Sequence, residues 1–399
     1  MVIYCDRIYM EDGIKDGFLE IRDGKFGKFF PKETEMKADL DYSGFRIIPG
    51  IVDTHNHGGF GVRINDGCTE EEVKLYLKGE ASWGVTGVFP TTFQLKAMEL
   101  VSRMAEEEQY GAQILGINSE GPWGARVGEK GVNTGYPKVD MEVARAMVQA
   151  GGKWLKLVCI APEVEGAGKA VDYFLSQGIT MSIYHTNANY AQANEAIDRG
   201  ITVATHLGNV MTGLHHRDIG TMGACLLRDE VDCEVICDGM HVCNPMLDII
   251  FRLKPHDKVM MVSDNVQYAG APAGEYLRET QVENSDRNRI FVTEDGRVLS
   301  QSGRLSGSGR PVLYGMKNLV EQLHMPLEEV VRFSSWNPCR KYGYLDRKGS
   351  IREGKDGDFV VISDEFQAEA TYCMGKCVYD RKRDRELFNQ EFLRKYKVG

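Results

Sequence analysis

Apolar and polar positions along the chain follow two rhythms. Short apolar runs alternate with stretches in which apolar residues return every three or four positions. In the middle of the chain the short runs fall at 51–55, 87–90, 114–119, 156–161, 180–185, 202–206, 233–238 and 258–264. Each predicts a buried strand. The material between them predicts helices and loops. Thr69 and Glu72 have the spacing of a capping box. The stretch from Asn189 to Gly200 opens on a cap residue and closes on glycine. Val312, Met316, Leu319 and Leu323 share one helical face. Alternating strand and helix with a count of eight predicts an α/β fold, a parallel (β/α)8 TIM barrel.

Both ends change rhythm. Strands are predicted at 1–9, 17–21, 46–49, 358–362 and 371–379, with turn signals at Asp12-Gly13 and Asp23-Gly24. These ends are expected to meet as a small β-sandwich domain made of 1–48 and 346–399, with the barrel on 49–345.

Composition narrows the function classes. The 399 residues carry 48 basic and 58 acidic side chains, a net charge of −10. That weighs against nucleic-acid partners, whose binding runs on Lys and Arg contacts to phosphate. No run reaches the roughly 18 apolar residues of a spanning helix, and no basic-then-apolar leader opens the chain, so no membrane partner and a cytoplasmic location are expected. The ten cysteines include no CxxC pair. They read as reduced, buried small hydrophobes, among them Cys159, Cys225, Cys237 and Cys243.

The predicted strands end in chemically loaded residues: His55 and His57, Glu120, His185, His206, Asp238 and Asp264. The C-terminal ends of barrel strands form one face, so these residues would converge there. His55 and His57 are two apart, which puts both on one side of a strand. His nitrogen with carboxylate oxygen suits zinc or ferrous iron. His185 or His206 alone would read as a core histidine, but both end apolar runs and precede polar loops. A buried Asp264 must pair or work, and beside a metal-bound water it would serve as a general base. His215-His216-Arg217 reads either as a solvated patch or as an anion site. His256 and His324 read as surface residues.

Taken together, these stretches resemble the amidohydrolase superfamily, and within it the N-acetylglucosamine-6-phosphate deacetylases. Pro49-Gly50-Ile51-Val52-Asp53-Thr54-His55-Asn56-His57-Gly58, Ser119-Glu120-Gly121-Pro122, Ala161-Pro162-Glu163 and His185-Thr186-Asn187-Ala188 carry the resemblance. So do Thr205-His206-Leu207-Gly208-Asn209-Val210-Met211, His215-His216-Arg217-Asp218-Ile219-Gly220, Asp238-Gly239-Met240-His241-Val242 and the stretch from Gly349 to Asp358. The resemblance implies hydrolysis of the acetamide of N-acetylglucosamine 6-phosphate by metal-activated water. Glu120, His185 and His206 would hold one divalent metal, zinc or iron, and His55 and His57 a second. Asp264 would be general base and then acid, and His241 would bind the acetyl carbonyl. Asn209, Val210, His216 and Arg217 would hold the sugar phosphate, with a homodimer expected because such contacts can cross between subunits.

Departures from the family pattern are Asn118, Gly208, Val210, Asn133 and the run from Asn265 to Tyr268. They leave room for another N-acyl amino sugar phosphate, such as N-acetylgalactosamine 6-phosphate. A dihydroorotase or hydantoinase would place a carboxylated lysine where Ala161-Pro162-Glu163 stands. A catalytically inactive binding protein would have lost ligands that this chain keeps.

Overall fold

A computed structural model describes residues 1–108, 111–126, 138–279 and 285–399. Asn133 lies outside them. Parallel strands at Ile51–Asn56, Val85–Pro90, Gln113–Ile114 with Ile117–Glu120, Leu155–Ile160, Thr180–Ile183, Val203–Ala204, Asp232–Val235 and Val259–Met261 form a curled sheet. They pair in two arcs. Parallel bridges Thr91 to Asn118 and Asn56 to Asn265 join the arcs at both ends. One helix follows each strand: Glu70–Ala81, Leu95–Met104, Met141–Gly151, Ala167–Ser176, Tyr190–Asp198, Gly220–Leu227, Asn244–Leu253 and Val312–Gln322.

Local sequence explains these starts and stops. Thr69 accepts the Glu72 N–H at 3.3 Å, and the Glu72 carboxylate accepts the Thr69 N–H at 2.9 Å. Asn189 and Gln192 form the same reciprocal pair at the next predicted cap. Val312, Met316 and Leu319 face the core, as their spacing predicts.

Both chain ends enter one hydrogen-bonded sheet of eight strands. Its order runs Lys376–Asp380, Ala368–Cys373, Phe359–Ile362, Arg46–Pro49, Val2–Met10, Gly13–Arg22, Lys25–Pro31, with Leu40–Asp41 paired to Val2–Met10. The sheet bends over its own apolar cluster. Phe26 on one edge strand comes within 6.1 Å, ring to ring, of Phe359, four strands away.

Three expectations need correction. The single strand predicted at 371–379 is a hairpin, Ala368–Cys373 and Lys376–Asp380, because Met374 and Gly375 both take left-handed backbone (φ 46° and 70°). A tight two-residue turn requires that geometry. Cys243 is exposed rather than buried, since it caps the helix Asn244–Leu253. His256 is no plain surface residue: its ring bonds Glu329 at 2.5 Å and the Phe251 carbonyl at 2.9 Å.

The pattern also missed an antiparallel sheet, Gly274–Leu277, Arg289–Val292 and Val298–Ser300, inserted after the last parallel strand. The C-terminal helix Gln390–Tyr396 packs on it through Phe392 against Tyr268 and Tyr276.

Candidate metal centre and substrate pocket

The last parallel strands are shorter than their apolar runs suggest. Each stops, and the next few residues turn. His185, His206 and Asp264 stand in these turns at φ 39°, 32° and 52°. Left-handed backbone is uncommon for such residues and costs on the order of 1–3 kcal/mol, which surrounding structure must sustain. The three strained turns carry their side chains to one place.

That place is Glu120, the last residue of Ile117–Glu120. Its Oε1 lies 2.9 Å from His206 Nε2 and 3.4 Å from His185 Nε2. Its Oε2 lies 2.9 Å from His57 Nε2. His55 Nε2 is 3.8 Å from Glu120 Oε1 and 3.4 Å from His57 Nε2. Asp264 Oδ1 sits 3.5 Å from His55 Nε2 and 3.4 Å from His57 Nε2. Two groups that could hold a metal ion result, His55–His57–Glu120 and Glu120–His185–His206, each with its donor atoms within 4.8 Å of one another.

The donor set fits a borderline divalent cation such as zinc or ferrous iron. His55 Nε2 and His57 Nε2 face each other, and the carboxylates around them favour positive charge at that point. Desolvation pushes His57 down, but Asp264 and Glu120 outweigh it and hold the imidazole at about 9. His55 is raised well above the ordinary histidine value, against its burial, by Asp264, Glu120 and Glu234. Glu120 is held well below the usual carboxylate range by the four histidines, against its own burial.

Thr54, Asn118, Ser182 and Thr205 stand one to three residues before these histidines and Glu120, and Cys159 and Glu234 join them from other strands of the sheet, where barrels usually carry a branched apolar layer. Ser182 and Thr205 hydroxyls meet at 2.5 Å, and Thr205 donates to Cys159 Sγ at 3.2 Å. Cys159 reaches Asn118 Oδ1 at 3.4 Å, and Asn118 Nδ2 donates to the Thr54 carbonyl at 3.0 Å. Thr54 donates to Glu234 Oε1 at 2.8 Å, while Glu234 Oε2 stands 3.3 Å from His55 Nδ1. Asn118, a departure in sequence, is thus a tie in this floor.

His241 is fixed by Asp238. The Asp238 carboxylate meets His241 Nδ1 at 2.8 Å and accepts the backbone N–H of Met240 and of His241 at 2.9 Å each. Burial lowers the His241 pKa, but Asp238 more than offsets this and raises it.

The proposed phosphate residues divide. Asn209 and Val210 follow His206 in the same turn. Asn209 Nδ2 donates to the His206 carbonyl at 3.1 Å. Val210 sits at φ 51°, a strained conformation for a β-branched residue. His216 and Arg217 stand farther along on an exposed stretch. Arg217 Nε meets His216 Nε2 at 3.1 Å, and neither shows a contact with the histidine–glutamate cluster among the described residues.

Sequence reasoning missed several supporting residues. Glu163 accepts from the Thr186 hydroxyl at 2.6 Å and from the Asn187 N–H at 2.5 Å, tying down the turn after His185. The Arg126 carbonyl faces His185 Nδ1 at 3.1 Å. Glu234 did leave a signal, a charge inside the apolar run at 233–238.

Known proteins resemble this chain in sequence and in fold. Residues 46–378 match the model of the amidohydrolase family. The chain is 30% identical to an N-acetylglucosamine-6-phosphate deacetylase of Vibrio furnissii, over 84% of this chain and 83% of that one. It is also 30% identical to the enzyme of that name from Bacillus subtilis, over 92% and 94% of the two chains. Among solved structures, a mutant N-acetyl-D-glucosamine-6-phosphate deacetylase from Mycobacterium smegmatis in complex with N-acetyl-D-glucosamine-6-phosphate superposes with a TM-score of 0.83. That pair is 25% identical, covering 95% of this chain and 99% of that one.

Proposed function

This chain belongs to the amidohydrolase family, and from that premise we propose that it hydrolyses the acetamide of N-acetylglucosamine 6-phosphate to glucosamine 6-phosphate and acetate. The observation that carries the reading is the convergence of five histidine and glutamate ligands with Asp264 at the ends of the parallel strands. Relatives bearing that activity match over most of their length.

Glu120, His185 and His206 would hold one divalent metal, zinc or iron, and His55 and His57 with Glu120 a second. When bound, such a metal acts as a Lewis acid and lowers the pKa of water towards neutrality. Asp264 then has a defined task. Its Oδ1, within 3.5 Å of both first-strand histidines, takes the proton of the attacking water and returns it to the departing amine. His241 donates from Nε2 to the acetyl oxygen as an imidazolium, whose Nδ1–H the Asp238 carboxylate accepts. Asn209 and the Val210 N–H would grip the phosphate, with His216 and Arg217 supplying charge. The exposure of those last two residues supports a homodimer in which they complete a neighbour's pocket.

The curled sheet and its eight helices support a (β/α)8 barrel on 49–345. The bent terminal sheet supports a sandwich-like unit on 1–48 and 346–399. No helix is long and apolar enough to cross a membrane among the described residues. Ten free cysteines support a cytoplasmic location.

Asp264→Asn tests the mechanism. Turnover should fall by about 100- to 10,000-fold, the usual worth of a general acid–base group, with bound metal unchanged. Near-normal turnover in that variant would contradict the assignment.

A further inference from the structure

Glu234 is a fully buried carboxylate in the strand Asp232–Val235, and its hydrogen-bond partners lie on another strand, Ile51–Asn56. Thr54 donates to one oxygen at 2.8 Å, and His55 Nδ1 faces the other at 3.3 Å. An isolated buried carboxylate is costly, so its place here calls for a compensating charge. The charge is directional. With Nδ1 turned to a carboxylate, the ring proton sits on Nδ1, and the Nε2 lone pair points at the space shared with His57 and Glu120.

The other triad lacks this device. His185 Nδ1 faces a backbone carbonyl, and His206 Nδ1 is buried with no hydrogen-bond partner among the described residues. We infer that Glu234 is a positioning residue that selectively strengthens the second metal site at His55 and His57. The inference rests on the metal-dependent reading above. A carboxylate behind a ligating histidine fixes the ring and raises its basicity, and its loss usually weakens metal binding about 10- to 100-fold.

The test equilibrates the full-length chain against buffered free Zn²⁺ and counts bound equivalents by elemental mass spectrometry. The wild-type protein should bind two. Glu234→Gln keeps the shape but drops the charge. It should keep the first equivalent unchanged and need about 10- to 100-fold more free zinc for the second. Thr54→Val, which frees one carboxylate oxygen, should shift the same step by less.

Binding curves of Glu234→Gln that overlay the wild type, or that lose both steps in parallel in a folded protein, overturn the inference. If Glu234→Gln does not fold, Thr54→Val decides: a shifted second step supports the inference, and an unmoved one overturns it. A wild-type chain that binds one equivalent overturns the inference but leaves the deacetylase reading standing. One that binds none defeats both.

Discussion

Asp238 shows how much one side chain can decide. By engaging His241 at Nδ1 it leaves Nε2 able to donate only while the ring is an imidazolium. The raised His241 pKa extends that state to higher pH. Turnover should therefore fall on the alkaline side as His241 loses its proton. Asp238→Asn removes the partner that raises the pKa, so the alkaline fall should move to lower pH in kcat/KM profiles. A profile that keeps its alkaline limb in place would remove His241 from the oxyanion role. At this scale the convergence of His55, His57, Glu120, His185 and His206 was legible because each ends an apolar run where a polar side chain has no structural reason to be. Glu234 was harder to interpret. Its value depends on Thr54 and His55, about 180 residues earlier, and no local pattern reports a contact of that separation.

Elements were legible wherever a local rule decided them. The capping box at Thr69 and Glu72 is complete. Thr69→Ala should cost about 1 kcal/mol, the usual worth of an N-cap, measured by denaturant unfolding, with turnover unaffected. A loss near zero would mean that packing alone holds that helix. The strand ends were overextended because the apolar run continues after the chain has turned. His185, His206 and Asp264 leave the strand through positive φ, which histidine and aspartate tolerate better than most residues but adopt too rarely to signal a turn. Met374 hides a hairpin for the same reason. The inserted sheet escaped because its strands are only three or four residues long and partly exposed, as in Arg289–Val292.

For the whole molecule, the net charge of −10 sets a problem that local structure must solve, since the proposed substrate is an anion. Arg217, on its exposed stretch, is the charge proposed to meet it. Arg217→Ala should lower kcat/KM on the 6-phosphate roughly ten- to hundredfold, in line with one charge-assisted hydrogen bond of about 1.5–3 kcal/mol. The unphosphorylated sugar should be unaffected, and equal losses on both would remove the anion role. The alternation that predicted a barrel appears at this scale as a curled parallel sheet whose eight strands are each followed by a helix. The bend of the terminal sheet was not legible, because it depends on Phe26 meeting Phe359, from opposite ends of the chain.

The central claim is tested most directly by acetate release from metal-loaded protein. N-acetylglucosamine 6-phosphate should be hydrolysed with one acetate per glucosamine 6-phosphate, at a kcat/KM well above those for free N-acetylglucosamine and for N-acetylgalactosamine 6-phosphate. Absence of acetate, or a preference for either comparison sugar, would contradict the account.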